Sequence, residues 1–202
     1  MLDAPARRMI DPTLNRLGQS LAARGIAADL VTLIGLGLGI LAALLIALGF
    51  PGLALVPLLA SRLADGLDGA VARATRRTDF GGYLDIAADF LFYGLIPLAF
   101  VVANPAANGV AGAFLLASFY FNGTSFLGFA IMAEKRGMST RAQGVKSLYF
   151  SDGLLEGTET ILFFVLLCLF PGWFSLLAWV FGVLCFLTGI LRLRAAQGLF
   201  RD

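Results

Sequence analysis

Four aspartates lie within twenty-five residues of an otherwise apolar part of the chain. On insertion scales, one carboxylate at the centre of a membrane helix costs about 2.5 to 3.5 kcal/mol, so four of them in one region require a compensating partner. Hard oxygen ligands at this density suit magnesium, manganese or calcium, and phosphate chemistry commonly uses two such ions. We therefore interpret the acids as a metal site for phosphate chemistry, formed by Asp65, Asp68, Asp85 and Asp89.

The spacing of the acids predicts two acidic stripes on consecutive helices, because residues at i, i+3 and i+4 share a helix face. The stripes comprise Asp65, Asp68, Gly69 and Ala72 on the first helix, and Gly81, Asp85 and Asp89 on the second. The small residues beside the acids leave room for a ligand. Arg73 is placed to contact a phosphate or a nucleotide. The alternative is that the acids form structural ion pairs with Arg62, Arg73, Arg76 and Arg77.

The composition indicates a polytopic membrane protein. Of the 202 residues, 59% are apolar and 14% are charged, and the mean hydropathy of +0.87 is too high for a soluble domain of this size. The chain contains no histidine, which excludes His-ligated haem, His-ligated zinc and any histidine-based catalytic triad. Cys168 and Cys185 both lie in apolar runs, where buried packing thiols are expected.

Six apolar runs each approach the roughly 20 residues that a membrane-spanning helix needs. They cover residues 29–50, 52–75, 80–103, 109–133, 152–170 and 172–193. Proline or glycine interrupts the chain near Pro51, Pro105 and Pro171, which predicts tight turns between consecutive helices. The fold predicted from these runs is an all-α integral membrane domain of six transmembrane helices over residues 28–202.

Residues 1–27 precede the first run, and their apolar positions recur at helical spacing. We expect this segment to be an amphipathic helix on the membrane surface. Basic residues cluster in it, between runs two and three, between runs four and five, and after run six, whereas the three Pro-containing turns have none. Because Lys and Arg favour the cytoplasmic side, the pattern predicts that both termini and the acidic site face the cytoplasm.

The motif Asp65-Gly-Leu-Asp68-Gly-Ala-Val-Ala-Arg73, followed at fixed spacing by Gly81, Asp85 and Asp89, resembles the signature of the CDP-alcohol phosphotransferases. The six-helix layout and the N-terminal helix are also similar to that family. The resemblance implies phospholipid biosynthesis in the cell inner membrane, in which a phosphatidyl group passes from CDP-diacylglycerol to the hydroxyl of a small polar alcohol and CMP is released. It further implies two divalent ions, Mg²⁺ or Mn²⁺, and a homodimer; we expect no nucleic-acid partner.

The resemblance also implies roles for individual residues. Asp65, Asp68 and Asp85 correspond to metal ligands, and Asp89 to a residue beside the metal that also acts as general base, a role suited to a carboxylate near an attacking hydroxyl. The nucleotide pocket would comprise Gly69, Ala72, Arg73 and Gly81, with a weaker correspondence at Thr32, before which Ala28-Asp29 replaces the usual Pro-Asn pair.

The acceptor site is predicted near the start of the fifth run. Glu156 and Glu159 lie on a third acidic stripe. Inositol-phosphate branches of the family typically carry arginines beside these two glutamates, where this chain has Gly157 and Thr160, and the absence of both arginines argues against a phosphorylated acceptor. The preceding loop could supply cations instead. The candidate acceptor-binding residues are therefore Lys135, Arg141, Lys146, Glu156 and Glu159.

Two other functions use the same residues. The protein could transfer a phospho-amino-alcohol from its CDP form to diacylglycerol, because the motif does not decide which partner carries the nucleotide. A member of a different class, a non-catalytic membrane cation binder or transporter, would need a polar route through the outer leaflet, where the chain has few charged residues. We favour the transferase that uses CDP-diacylglycerol.

Overall fold

A computed structural model of the protein describes residues 3–138 and 155–200. In these ranges the regular structure is entirely helical, which confirms the predicted all-α class. The elements are α1 (Asp3–Ala23), α2 (Ala28–Ala47), α3 (Pro51–Ala74), α4 (Asp79–Ala103), α5 (Pro105–Lys135), α6 (Gly157–Leu169) and α7 (Phe174–Leu199), with a single 3₁₀ turn at Pro171–Trp173.

Four helical stretches in the described ranges are long and apolar enough to cross a membrane: Ala28–Ala47, Asp79–Ala103, Pro105–Lys135 and Pro171–Leu199. Helix α3 is long enough, with 24 residues, but it carries the charged motif. Helix α6 has 13 described residues, about 20 Å of helix, against a hydrocarbon core of about 30 Å. Four spans are therefore supported, and the remaining two, the surface position of α1 and the orientation of the termini stay predictions.

The helix boundaries follow from local chemistry. Pro51 and Pro105 occupy the first turns of α3 and α5, where a missing N–H costs nothing. The Asn104 side chain accepts a hydrogen bond from the Ala107 N–H (3.2 Å) and caps α5. Gly49 follows α2 with φ of 87°, a left-handed conformation that favours glycine. The structure therefore confirms the turns predicted at these prolines.

The helices that carry the acids pack in one group. Helix α2 contacts both α3 and α4, α1 and α6 contact α3, and α5 pairs with α7. The core contains Phe92 of α4 and Phe164 of α6, whose rings lie edge to face with centroids 5.9 Å apart. Phe92 lies one turn beyond Asp89, so the core continues directly into the acidic cluster.

Helix α1 lies close against α3 through small residues. A Cβ added at Gly18 would lie 2.7 Å from the Cβ and 2.8 Å from the carbonyl carbon of Ala70, so the two backbones leave no room for a side chain. Beside this contact, the Leu14 side chain covers Gly66. This packing holds α1 across the helix that carries Asp65 and Asp68.

We predict that Gly18→Ala destabilises the protein by roughly 1 to 3 kcal/mol, because the new methyl group meets backbone atoms of α3 rather than a flexible side chain. Gly37→Ala is the matched control, since nothing lies within 4 Å of a Cβ at that helical position, and alanine there stabilises the helix. Thermal unfolding in detergent measures both effects, and the reaction of the two buried cysteines with a thiol dye reports the unfolding. Equal unfolding temperatures for the two variants would contradict the close packing of α1.

Candidate metal and nucleotide site

Three of the four aspartates converge between α3 and α4. Asp65, Asp85 and Asp89 each offer one carboxylate oxygen, and these three oxygens all lie within 4.8 Å of one another. The side chains of Asp65 and Asp89 are 35% and 32% exposed, so the cluster is partly buried but can be reached from solvent. Carboxylate oxygens in this arrangement are the donors that Mg²⁺ and Mn²⁺ prefer, so the residues fit a divalent metal site.

Asp68 lies beside this group and is more deeply buried, with 5% of its surface exposed. The Thr32 hydroxyl of α2 donates a hydrogen bond of 2.6 Å to the Asp68 Oδ2. Hydrogen bonds to carboxylates that bind metals fix their orientation. The structure therefore links Thr32, which the sequence assigns to the nucleotide, directly to one of the predicted metal ligands.

Arg62 supplies a positive charge to the cluster. Its Nη1 donates to the Asp89 Oδ1 at 2.7 Å and lies 3.5 Å from the Asp65 Oδ1. These are the only Arg62 ion pairs among the described residues. The alternative of purely structural ion pairing therefore involves two acids and one arginine, and it leaves the charges of Asp68 and Asp85 without an arginine partner in the described part of the chain.

The start of α4 brings Gly81 against α2. A Cβ at Gly81 would lie 2.9 Å from the Thr78 Oγ1 and 3.0 Å from the Asp29 Oδ1. The Thr78 hydroxyl oxygen also accepts a hydrogen bond from the Gly81 N–H at 3.0 Å, which caps the helix. The absence of a side chain at Gly81 therefore has a packing reason of its own, and its predicted contact with a nucleotide stays a prediction.

The other predicted nucleotide residues lie at the exposed end of α3. Arg73 is exposed, and its Nη2 donates a 2.8 Å hydrogen bond to the Asn15 Oδ1 of α1. A Cβ at Gly69 would lie 3.3 Å from the Arg73 Nη1, so the arginine passes over that glycine. Ala72, on the same helix, is half-buried. The surface formed by these residues continues from the acidic cluster towards α1.

Three of the predicted acceptor residues, Lys135, Glu156 and Glu159, lie in the described ranges. Glu156 and Glu159 form a capping box at the start of α6, in which the Glu159 carboxylate accepts from the Glu156 N–H at 3.1 Å. Lys135 is exposed in the last turn of α5. Arg141 and Lys146 lie outside the described residues. The acceptor assignment therefore remains a prediction.

Two partnerships were missed at the sequence level. Asn15 belongs to the segment predicted to be an amphipathic helix on the membrane surface, and its bond to Arg73 was not predicted. Arg192 of α7 donates to the backbone oxygen and Oδ1 of Asn122, both at 3.0 Å, and to the Ser125 Oγ at 2.7 Å. A basic residue inside the last apolar run, matched by polar residues in the fourth run, is the signal that could have indicated this second contact.

Comparison with known proteins agrees with the site. Residues 25–190 match the family described as CDP-alcohol phosphatidyltransferase. The chain belongs to this family. It is 48% identical to the inner membrane protein YnjF of Escherichia coli over 192 residues, which cover 95% of this chain and 93% of that protein. It is 38% identical to the archaetidylinositol phosphate synthase of Pyrococcus horikoshii over 86 residues, which cover 42% and 46% of the two chains. No solved structure gives a significant match.

As a member of this family, the chain is a membrane-bound transferase of phospholipid synthesis. It confirms the resemblance stated from the aspartate motif. The range matched by the family covers α2 to α6 and most of α7, so it includes all four aspartates. Helix α1 lies before the first matched residue.

We predict that Thr32→Val lowers the affinity for Mn²⁺ or the activity about 10- to 100-fold, because it removes the hydroxyl that orients Asp68 with almost no change in shape. Thr32→Ser restores the hydroxyl and should recover most of the loss. Thr188→Val is the matched control, since within the described ranges that buried hydroxyl bonds only to the Leu184 backbone oxygen of its own helix. Mn²⁺ titration of the purified variants measures the effect, and equal affinities for Thr32→Val and Thr188→Val would contradict it.

Proposed function

We propose that the protein transfers the phosphatidyl group of CDP-diacylglycerol to the hydroxyl of a small polar alcohol and releases CMP. The observation that carries the proposal is the convergence of Asp65, Asp85 and Asp89 between two helices of a chain that belongs to the CDP-alcohol phosphatidyltransferase family. A membrane protein of this family meets its lipid substrate in the bilayer, with the acyl chains among the lipids and the diphosphate at the acids.

The metal ligands in this proposal are Asp65, Asp68, Asp85 and Asp89, with Mg²⁺ or Mn²⁺ as the ions and two as their number. Divalent ions bound there would neutralise the diphosphate and the leaving CMP. The geometry supports the assignment, because three carboxylate oxygens converge within 4.8 Å and the fourth acid is held by Thr32 beside them. In the part of the chain that the structure describes, one arginine contacts the cluster, and it does not balance four carboxylates.

Asp89 is proposed as the general base. As the acceptor oxygen bonds to the phosphatidyl phosphorus, the bond from that phosphorus to the CMP oxygen breaks, and the acceptor proton passes to Asp89. The 2.7 Å hydrogen bond from Arg62 engages one Asp89 oxygen, and the side chain is about one third exposed. Arg62 contacts Oδ1, so Oδ2 is the oxygen proposed to receive the proton and pass it to solvent.

The nucleotide is proposed to lie along the surface from the acids to α1, against Gly69, Ala72, Arg73 and Gly81. Arg73 is exposed, and its hydrogen bond to Asn15 fixes its position. Its guanidinium is therefore accessible to a phosphate. Thr32 contributes through Asp68. In this arrangement α1 forms one wall of the nucleotide site.

In the membrane, we propose six spanning helices over residues 28–202, a surface helix over residues 1–27, and both termini and the active site on the cytoplasmic side. The distribution of Lys and Arg supports this orientation. The similar Escherichia coli protein is named an inner membrane protein, which agrees with the proposed location. Candidate acceptor contacts are Lys135, Arg141, Lys146, Glu156 and Glu159, and the expected assembly is a homodimer.

The reaction can be tested with purified protein in lipid nanodiscs. CDP-diacylglycerol is incubated with labelled glycerol phosphate, inositol phosphate, serine or choline, and lipid product and CMP are measured together. We expect one acceptor to give equal amounts of both, EDTA to stop the reaction, and Mg²⁺ or Mn²⁺ to restore it. Product from CDP-choline and diacylglycerol in the parallel reaction would reverse the direction proposed here, and turnover in EDTA would exclude the metal assignment.

We predict that Asp89→Asn reduces turnover at least 100-fold while CDP binding changes little, because the amide keeps the shape of the side chain but cannot accept the proton. Turnover is measured in the assay above, and CDP binding by isothermal titration. The control is Asp79→Asn, an acid in the first turn of α4 that lies outside the acidic cluster. Wild-type turnover in Asp89→Asn would refute the role of general base.

A further inference from the structure

Arg62 is placed unusually for an arginine of a membrane protein. It lies one turn before Asp65 in α3, and 10% of its side chain is exposed. Its guanidinium carbon lies 3.7 Å from the centroid of the Phe92 ring, while its Nη2 donates to the Ser61 Oγ at 3.1 Å. A ring face, a hydroxyl and two carboxylates therefore fix the plane and position of this cation.

The Arg62 side chain contacts the acids but does not satisfy all of its own hydrogen-bond donors. Its Nε is buried and has no acceptor within the described residues. An unsatisfied buried donor is unfavourable, so a purely structural arginine would be expected to satisfy it. The side chain instead places Nη1 2.7 Å from the Asp89 Oδ1 and 3.5 Å from the Asp65 Oδ1, between two of the three converging carboxylates.

We propose that Arg62 is a tethered cation that holds Asp65 and Asp89 together while no metal ion is bound, and that competes with the ion for Asp89. The inference rests on the proposed function, because it requires these acids to be metal ligands. Without a cation, carboxylates this close repel one another, which favours either their separation or the binding of a proton between them. With Arg62 in place the ligands remain converged, and an incoming ion must share Asp89 with a fixed positive charge.

Two opposite effects should then follow from removing the charge of Arg62. The protein loses stability in the absence of metal, because Asp65 and Asp89 lose their partner while they stay partly buried. The affinity for metal rises, because the ion no longer binds beside a positive charge. A residue that only packs against Phe92 would change stability equally with and without metal, and it would not raise the affinity.

The test uses Arg62→Met, whose unbranched side chain can still pack on the Phe92 ring. Binding of Mn²⁺ alone is measured on the full chain in detergent from the electron paramagnetic resonance signal of the free ion. Unfolding temperatures are measured in EDTA and at saturating Mn²⁺. We expect Arg62→Met to bind Mn²⁺ about tenfold more tightly than the wild type. We also expect it to unfold at a lower temperature in EDTA and to gain more than the wild type from Mn²⁺.

Arg192→Met is the matched control, because among the described residues that half-buried arginine contacts Asn122 and Ser125 of α5 and no acid. It should lower the unfolding temperature equally with and without Mn²⁺ and leave the affinity unchanged. If Arg62→Met is too unstable to purify, Arg62→Gln decides instead. Its amide removes the charge but can still donate a hydrogen bond to a carboxylate, so an affinity above the wild type is expected and an unchanged affinity overturns the proposal.

The outcomes separate the two proposals. Wild-type protein that binds Mn²⁺, together with an Arg62→Met variant that binds it no more tightly, would overturn the tethered cation and leave the proposed metal site intact. Wild-type protein that binds no Mn²⁺ would overturn the metal site itself. Asp85→Asn provides the reference for a lost ligand, since Asp85 belongs to the cluster but makes no ion pair with Arg62 among the described residues.

Discussion

Carboxylates lie close together inside the apolar helix bundle, and the arrangement of α1 to α4 must offset their mutual repulsion. Two unit charges 4.8 Å apart repel by about 3 kcal/mol at an effective dielectric constant of 20, and partial exposure reduces this value. Three such pairs exist among Asp65, Asp85 and Asp89, and Asp68 is buried beside them. Among the described residues a single guanidinium contacts the cluster and offsets only part of this repulsion, so the acids can accommodate additional positive charge.

Small residues allow the helices to come close enough to form this cluster. A Cβ at Gly35 would lie 3.1 Å from the Ala64 Cβ, and a Cβ at Gly39 would lie 2.7 Å from the Phe92 ring. The first contact brings α2 against α3, and the second lets the Phe92 ring fill the space beside α2. The same ring then supports Arg62, so the packing of the core and the charge balance of the site depend on one side chain.

The parts of the site that follow a helical period could be predicted from the sequence, and those that depend on helix packing could not. Asp65 and Asp68 share a face because they are three residues apart, whatever surrounds the helix. The bond from Thr32 to Asp68 spans 36 residues, and the bond from Arg62 to Asp89 spans 27. Such pairs depend on which face of one helix meets the next, and that is decided by small residues whose effect is visible only in three dimensions.

Helix α1 shows how one amphipathic segment can serve two surfaces. Its Leu14 and Gly18 pack against α3, whereas Ile10 and Leu17 are 45% and 51% exposed. A helix that only anchored the protein would have no need for Gly18, because lipid tolerates a side chain at that position. Close packing against α3 instead places Asn15 on Arg73, and the exposed apolar residues remain available to the membrane surface. In the proposed arrangement, this helix connects the bilayer to the end of α3 at which the nucleotide is proposed to bind.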